Sequence, residues 1–370
     1  MDVPPELCVL ALNSGSSTLK CGLYRVGASG TEALFSETMP LPDGCEAVVH
    51  IATRLADSKL PAPEAIGHRI VHGGPKLRRH CIIDDEVLAQ LDAATAFAPL
   101  HIPPALSVIR LAREHFPGLP QVACFDTTFH AELPDVARIL PIPRELLAEG
   151  IQRYGFHGLS CESIVRQLGR DLPSRLIIAH LGNGASVTAV RCGKSVDTSM
   201  GLTPSGGVIM GTRSGDLDPG VLVYLAREKK FDAARLEQLV DHRSGLLGIS
   251  GLASDMRRLH EAAPSNADAR LAIEMFCYCV RKQIAAMIAA LEGVDIIIFT
   301  GGIGENDAAV RADICDGLSW IGVGLGEMRV DPRSHAALCC AVRVLPSQED
   351  EQIARHTWSL LRDAFPDYHP

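Results

Sequence analysis

Two segments about half a chain apart share one layout. LCVLALNSGSSTLKCGLY, from Leu7, and LIIAHLGNGASVTAVRCG, from Leu176, each run an apolar strand into a tight turn of small polar residues and on into a second apolar strand. A hairpin repeated once per half of the chain implies duplicated domains whose turns face one cleft. Backbone N–H groups of both turns could then reach a polyphosphate from opposite sides. Ordinary hairpins use the same turn residues, so the echo alone leaves both readings open.

The rest of the chain fits duplicated α/β units. Short Val- and Ile-rich runs at Ala65 to Val71, Gln121 to Phe125 and Val294 to Thr300 end in Gly-rich or polar turns, as buried central strands do. Helical patterns lie between them: Pro104 to His115, a helix capped by Asp218 with Pro219 at its first position, and Leu271 to Leu291 with Gly293 as its stop. At about 100–200 residues per domain, 370 residues make two domains. The Pro-rich stretch Pro134 to Glu149, which lacks clean periodicity, is the expected crossover.

Charge and cysteine usage narrow the function. A net charge of -9 gives no counterion-release drive toward nucleic acid. Any anion site must then be built from local Arg, Lys and backbone N–H groups. The start, MDVPPELC, lacks the basic, apolar pattern of a signal peptide. The longest apolar helix carries Glu274, Arg281 and Lys282, which a membrane span rarely tolerates. The expectation is a cytoplasmic protein with neither a membrane nor a nucleic-acid partner. None of the 12 Cys forms a C-x-x-C pair; they read as reduced structural thiols.

Several motifs carry chemistry. Asn13, Gly15, Ser16, Thr18 and Lys20 make a turn that lets backbone approach a phosphate, without P-loop spacing. In AIGHRIVHGG, Arg69 leaves a strand beside a Gly pair and suits either an anion clamp or a salt bridge. Asp126 follows an apolar run, as a metal ligand or a turn cap would. His157 lies between glycines in RYGFHGLS, and Arg213 lies in the Gly-flanked loop GTRSGDLDPG. A loop Arg is suited to stabilising a transferring phosphoryl group. In TGGIGEN, three Gly in four residues would let a flat nucleoside lie on the backbone, with Ile303 against its ring. Together these are the parts of a phosphoryl-transfer site.

In this order and spacing, the chain resembles the acetate kinase family, a branch of the acetate and sugar kinase/heat-shock chaperone/actin superfamily. LNSGSSTLK, GHRIVHGG, APLH, CFDTTFH, RYGFHG, IIAHLGNGASVTAVRCG, DTSMGLTPSGGVIMGTRSGDLDP and FTGGIGEN carry the resemblance, from about Cys8 to Arg355. It implies two duplicated ribonuclease-H-like domains with an actin-like ATPase fold around a central cleft. They would comprise residues 1–148 with 352–370, and 149–351, a C-terminal helix returning to the first. It implies reversible in-line transfer of the ATP γ-phosphoryl group to acetate, giving acetyl phosphate and ADP, with Mg2+ (or Mn2+) and in a homodimer.

Carried over by position, Arg69 and Arg213 bracket the phosphoryl group, His157 and Asn183 stabilise and place it, and Asp126 assists. Glu349, with Asn13, holds the metal. Asn13, Ser16, Thr18 and Lys20, with His180, Gly182, Asn183 and Gly184, line the phosphate path. Asp255, Arg257, Gly301, Gly302, Ile303, Gly304 and Asn306 form the nucleoside side. Val71, Leu100, Phe156 and Pro204 line the pocket for the acid's methyl group. Alternatives within the family are a propionate or butyrate kinase and a pyrophosphate-dependent enzyme. The chain departs from the family's usual residues at Ile102 and Ala105, after APLH, and at Ser347, Gln348 and Asp350 around Glu349.

Overall fold

The computed structural model describes residues 6–15, 18–40, 45–324 and 340–364. The first half contributes strands β1 (Leu7–Ser14), β2 (Thr18–Gly27), β3 (Gly30–Pro40), β4 (Ala65–Ile70), β5 (Cys81–Ile82) and β6 (Gln121–Phe125). The second contributes β7 (Arg175–Leu181), β8 (Ala185–Arg191), β9 (Lys194–Thr198), β10 (Ile296–Thr300) and β11 (Ala341–Val344). The strand orders are β3-β2-β1-β4-β6-β5 and β11-β10-β7-β8-β9. Read from its third strand, the second sheet repeats the first: an antiparallel three-strand meander, then two strands parallel to the meander's first. This is the ribonuclease-H-like order, present twice. The repeated hairpins are β1–β2 and β7–β8.

The strands read from the sequence are the central ones. β1, β6 and β10 are buried along their whole length. The edge strands β3 and β11 are largely solvent-facing, and β3 mixes polar with apolar residues while β11 is only four residues long, so neither carries a long continuous apolar run. The helices follow their caps. Asp218 accepts from Gly220 N at 2.9 Å at the start of Pro219–Glu228. Asn266 caps the 25-residue helix Ala267–Leu291, whose buried stripe runs Phe276, Val280, Ile284, Met287, Leu291. That helix ends on Glu292 in the left-handed conformation, with Gly293 beyond it. The stretch expected as a crossover holds two short helices, Asp135–Arg138 and Arg144–Ala148. Among the described residues, no helix is long and apolar enough to cross a membrane.

Two helices place the chemistry. Gly158–Leu168 packs Leu159 into the core of the first sheet and Cys161, Ile164 and Leu168 into that of the second. Glu349–Ala364 buries Ile353, Ala354 and Leu361 against β1 and β6 residues. It approaches β4 so closely that a Cβ on Gly67 would stand 2.3 Å from Thr357 Oγ1. A Gly67→Ala change would force these layers apart.

Candidate active site

A cleft of about 440 Å³ opens between the two sheets, lined from both hairpin turns, from the ends of β4, β6 and β10, and from the start of helix Glu349–Ala364. Of the residues singled out in the sequence, it brings together Asn13, Thr18, Lys20, Arg69, Val71, Asp126, Phe156, His157, His180, Gly182, Asn183, Gly184, Pro204, Arg213, Gly301, Gly302 and Glu349.

Arg69 lies in β4 opposite Cys124 of the parallel strand β6, and Asp126 directly follows β6, its N–H donating to the Ile70 carbonyl at 2.9 Å. Arg69 gives Nε and Nη2 to the same carboxylate oxygen, Asp126 Oδ2, at 2.9 and 2.5 Å, and Nη1 to the Ser14 carbonyl at 2.9 Å. The salt-bridge alternative for Arg69 is therefore realised within the cleft itself. The other oxygen, Asp126 Oδ1, is buried and has no hydrogen-bond partner. Burial pushes the Asp126 carboxyl up to about 6 against the pull of Arg69, and the nearby charge of Glu349 adds to the rise.

Arg213 is different. Its contacts are the Pro204 carbonyl at 3.3 Å, Met210 Sδ at 3.8 Å and His101 Nε2 at 3.3 Å. Among the described residues, no carboxylate lies within ion-pair distance of it. Burial weakens its hold on the proton, Asp241 partly offsets this, and the like charge of Arg69 adds to it. A partly buried guanidinium without a counter-ion is poised for an anion.

Two histidines stand beside it. His157 is the N-cap of helix Gly158–Leu168, at φ 58°. That helix can start here because Gly158 has no Cβ; one would stand 2.2 Å from the Asp126 carbonyl. His157 and His180 stack with centroids 4.1 Å apart. Each anchors Nδ1 on a serine, His157 on Ser186 at 2.9 Å and His180 on Ser160 at 2.8 Å, so both Nε2 atoms remain available. Burial depresses both rings below the usual histidine range, and His157 well below it with the added effect of His180 and the two arginines. They are neutral at neutral pH, and each Nε2 donates in the tautomer whose Nδ1 accepts from its serine hydroxyl. Gly184 brings the backbone of the second turn against this group, since a Cβ there would lie 3.3 Å from both Arg213 Nη1 and His157 Nε2.

At the far side Asn13 gives Nδ2 to Glu349 at 3.1 Å and Asp350 at 2.7 Å, which frees its amide oxygen for another partner. Although burial opposes ionisation, Arg69, His180 and the Asn13 bond keep Glu349 below the usual carboxylate range. Glu349, Asn13 and Asp126, whose Oδ1 is unpartnered, all line the cleft and offer oxygen donors, the type a hard divalent cation takes. Another cluster, His80, Glu162 and His356, has ligand atoms within 4.8 Å of one another. There His80 Nδ1 accepts from Phe125 N–H at 3.0 Å, so the neutral ring carries its proton on Nε2 and offers no lone pair there. That cluster joins helices, with Glu162 at 2.5 Å from His356 Nε2.

Some expected residues stand elsewhere. Leu100 is exposed, in the turn before helix Ile102–His115, and does not line the cleft; His101 beside it does. Asp255 caps helix Met256–Ala262 and pairs with exposed Arg257 at 3.3 Å. Neither reaches the cleft wall. Ile303 packs on the core of the second sheet rather than standing free for a ring, because Gly301–Asn306 forms a short helix that turns it inward. Gly304 is buried, and exposed Asn306 donates to Gly302 O at 2.9 Å. Gly302 is exposed in the cleft wall with nothing within 4 Å of a Cβ, which leaves room for a flat group. Ser16 lies outside the described residues.

His101 and Glu305, which the sequence alone does not single out, also line the cleft, as does Ser347, one of the departures; APLH and GGIGEN contain the first two and are the available signal. The departures resolve structurally. Ile102 and Ala105 are core residues under the first sheet. Gln348 Oε1 accepts from Arg166 at 2.6 Å, and Asp350 shares Asn13 with Glu349.

Comparison with known proteins shows the family and the fold. The profile of the acetokinase family matches residues 32–355. Acetate kinases of Methylocella silvestris and Heliobacterium modesticaldum are each 40% identical over 96% of this chain, and over 98% and 100% of their own lengths. Among solved structures, a propionate kinase of Francisella tularensis superposes with a TM-score of 0.84 at 33% identity, covering 96% of this chain and all of that one. The Porphyromonas gingivalis acetate kinase does so with a TM-score of 0.78 at 34% identity and the same coverage.

Proposed function

The chain belongs to the acetokinase family, and from that premise we propose that it transfers the γ-phosphoryl group of ATP to acetate, giving acetyl phosphate and ADP. The fold is the actin-like ATPase fold of that family. The observation that carries the reading is Arg213, in the cleft without a carboxylate partner.

The chemistry needs alignment and charge neutralisation more than covalent help. A carboxylate is already ionised at pH 7, so the acid attacks phosphorus without a general base. The leaving oxygen is that of ADP, opposite the attacking one. Arg213 and Arg69 neutralise charge on the equatorial oxygens in this reading, and neutral His157 donates from Nε2. Val71, Phe156 and Pro204, all buried in the cleft wall, form the apolar pocket for the methyl group. The two Gly-rich turns hold the phosphates, with the nucleoside along Gly301 and Gly302.

Mg2+, held by Glu349 with Asn13 and the open oxygen of Asp126, would neutralise charge on the nucleotide phosphates. Residues 1–148 with 352–370 form one domain of this reading and 149–351 the other. The packing of helix Glu349–Ala364 on the first sheet supports that division. A homodimer is supported by the exposed Val221, Val223 and Tyr224. The free state of all described cysteines fits a cytoplasmic location.

The test is trapping of the acyl phosphate with hydroxylamine, using ATP or pyrophosphate and formate, acetate, propionate or butyrate. A signal strongest with ATP and acetate is expected. None with any acid from folded protein would overturn the reading, and a peak at a longer acid or with pyrophosphate would move it within the family.

A further inference from the structure

We propose that Glu305 is a positioning residue that ties the Gly-rich turn after β10 to the loop presenting Glu349, so that one carboxylate sets both the nucleoside side and the metal side of the cleft. This rests on the phosphoryl-transfer reading above. Glu305 Oε1 takes three donors: Gly301 N at 2.9 Å, Ser347 N at 2.9 Å and Thr300 Oγ1 at 3.4 Å.

The first and third belong to its own turn, where a helix N-terminus leaves N–H groups without intrahelical partners. A local cap explains those two. It does not explain Ser347, which is 42 residues away in sequence and two before Glu349. The Ser347 loop has other anchors, from its Oγ to Ser160 Oγ at 3.1 Å and from Gln348 N to Ser163 Oγ at 3.2 Å. Only the Glu305 bond among these connects it to the Gly301–Gly302 backbone. A carboxylate accepting several N–H groups is a strong, directional tether. Glu305 also lines the cleft, so a shift of either loop changes the same space.

The acid pocket is built from other elements. Val71 follows β4, Phe156 precedes helix Gly158–Leu168, and Pro204 lies in the loop after β9; none of them bonds to Glu305. The tether therefore predicts a split. In the full-length protein, Glu305→Ala should weaken ADP binding, measured by calorimetry without metal. It should also weaken Mn2+ binding in the presence of ADP, measured from the electron paramagnetic resonance of free Mn2+. Each loss should be about tenfold, that of one hydrogen bond to a charged group. The KM for acetate should stay at the wild-type value. Glu305→Gln keeps an acceptor oxygen and should restore most of both affinities.

A uniform loss in all three quantities, a loss confined to ADP, or a Gln variant as impaired as Ala would each overturn the proposal. Should the Ala variant not fold, Ser347→Pro, compared with Ser347→Ala to subtract the shared loss of the Oγ anchor to Ser160, removes the distant N–H donor. It should weaken Mn2+ binding while leaving ADP binding without metal unchanged, and wild-type affinity for Mn2+ would overturn the tether. The wild-type protein, assayed in parallel for acyl phosphate, separates failure of this inference from failure of the functional reading.

Discussion

Replacing each cleft arginine by alanine should give similar losses of rate but a loss of stability for only one of the two. A unit charge about 4 Å from a phosphoryl oxygen, at an effective dielectric constant of about 20, is worth about 4 kcal/mol. At about 1.4 kcal/mol per decade, Arg213→Ala should lower kcat by about 10³-fold. Its fold should not suffer, because Arg213 has no carboxylate partner to leave behind and gives up contacts only to Pro204, Met210 and His101. Arg69→Ala removes a comparable charge but strands Asp126, which is fully buried and takes two hydrogen bonds from that guanidinium. Breaking a buried pair from one side costs about 3–5 kcal/mol. The Arg69 variant should thus lose activity and unfold at clearly lower denaturant, while the Arg213 variant unfolds with the wild type. The assays are hydroxylamine-trapped turnover and urea unfolding followed by circular dichroism. An Arg213→Ala protein that keeps near-normal turnover, or an Arg69→Ala protein as stable as wild type, would refute the charge accounting.

Other outcomes follow from the same geometry. Val71→Ala should raise the propionate-to-acetate ratio of kcat/KM by about tenfold, since one methylene in an apolar pocket is worth about 1–3 kcal/mol; an unchanged ratio removes Val71 from the pocket. Glu349→Gln should raise the Mg2+ concentration for half-maximal rate at least about tenfold with little effect on the acetate KM, and an unchanged Mg2+ curve would exclude Glu349 as a ligand. Burial pulls His68, His72 and His130 from 6.5 to about 4. The unfolded chain then binds more protons between those values, and stability falls as pH drops from 6.5 towards 4, by up to about 3 kcal/mol per ring. Melting scans at pH 7 and pH 5 check this, and an equal Tm at both would contradict it.

The sequence by itself determined the central strands, the paired hairpins and most of the cleft wall. Continuous apolar runs appear only where a strand is buried on both faces, and the turns after them need Gly, Ser and Asn locally. The exposed strand β3 left no such signature, and β11 forms by pairing beside β10 rather than through a pattern of its own. Turn chemistry likewise located His157 and Arg213 but not their partners. Only the tertiary structure decided that Arg69 is paired and Arg213 is not, and that Leu100 turns outward while His101 turns in. It also decided that Ile303 serves the core. Each depends on which element packs opposite, at separations such as the 57 residues between Arg69 and Asp126 or the 112 between His101 and Arg213. Local sequence carries the period of a strand and the chemistry of a turn; it carries no record of what a side chain meets across the cleft.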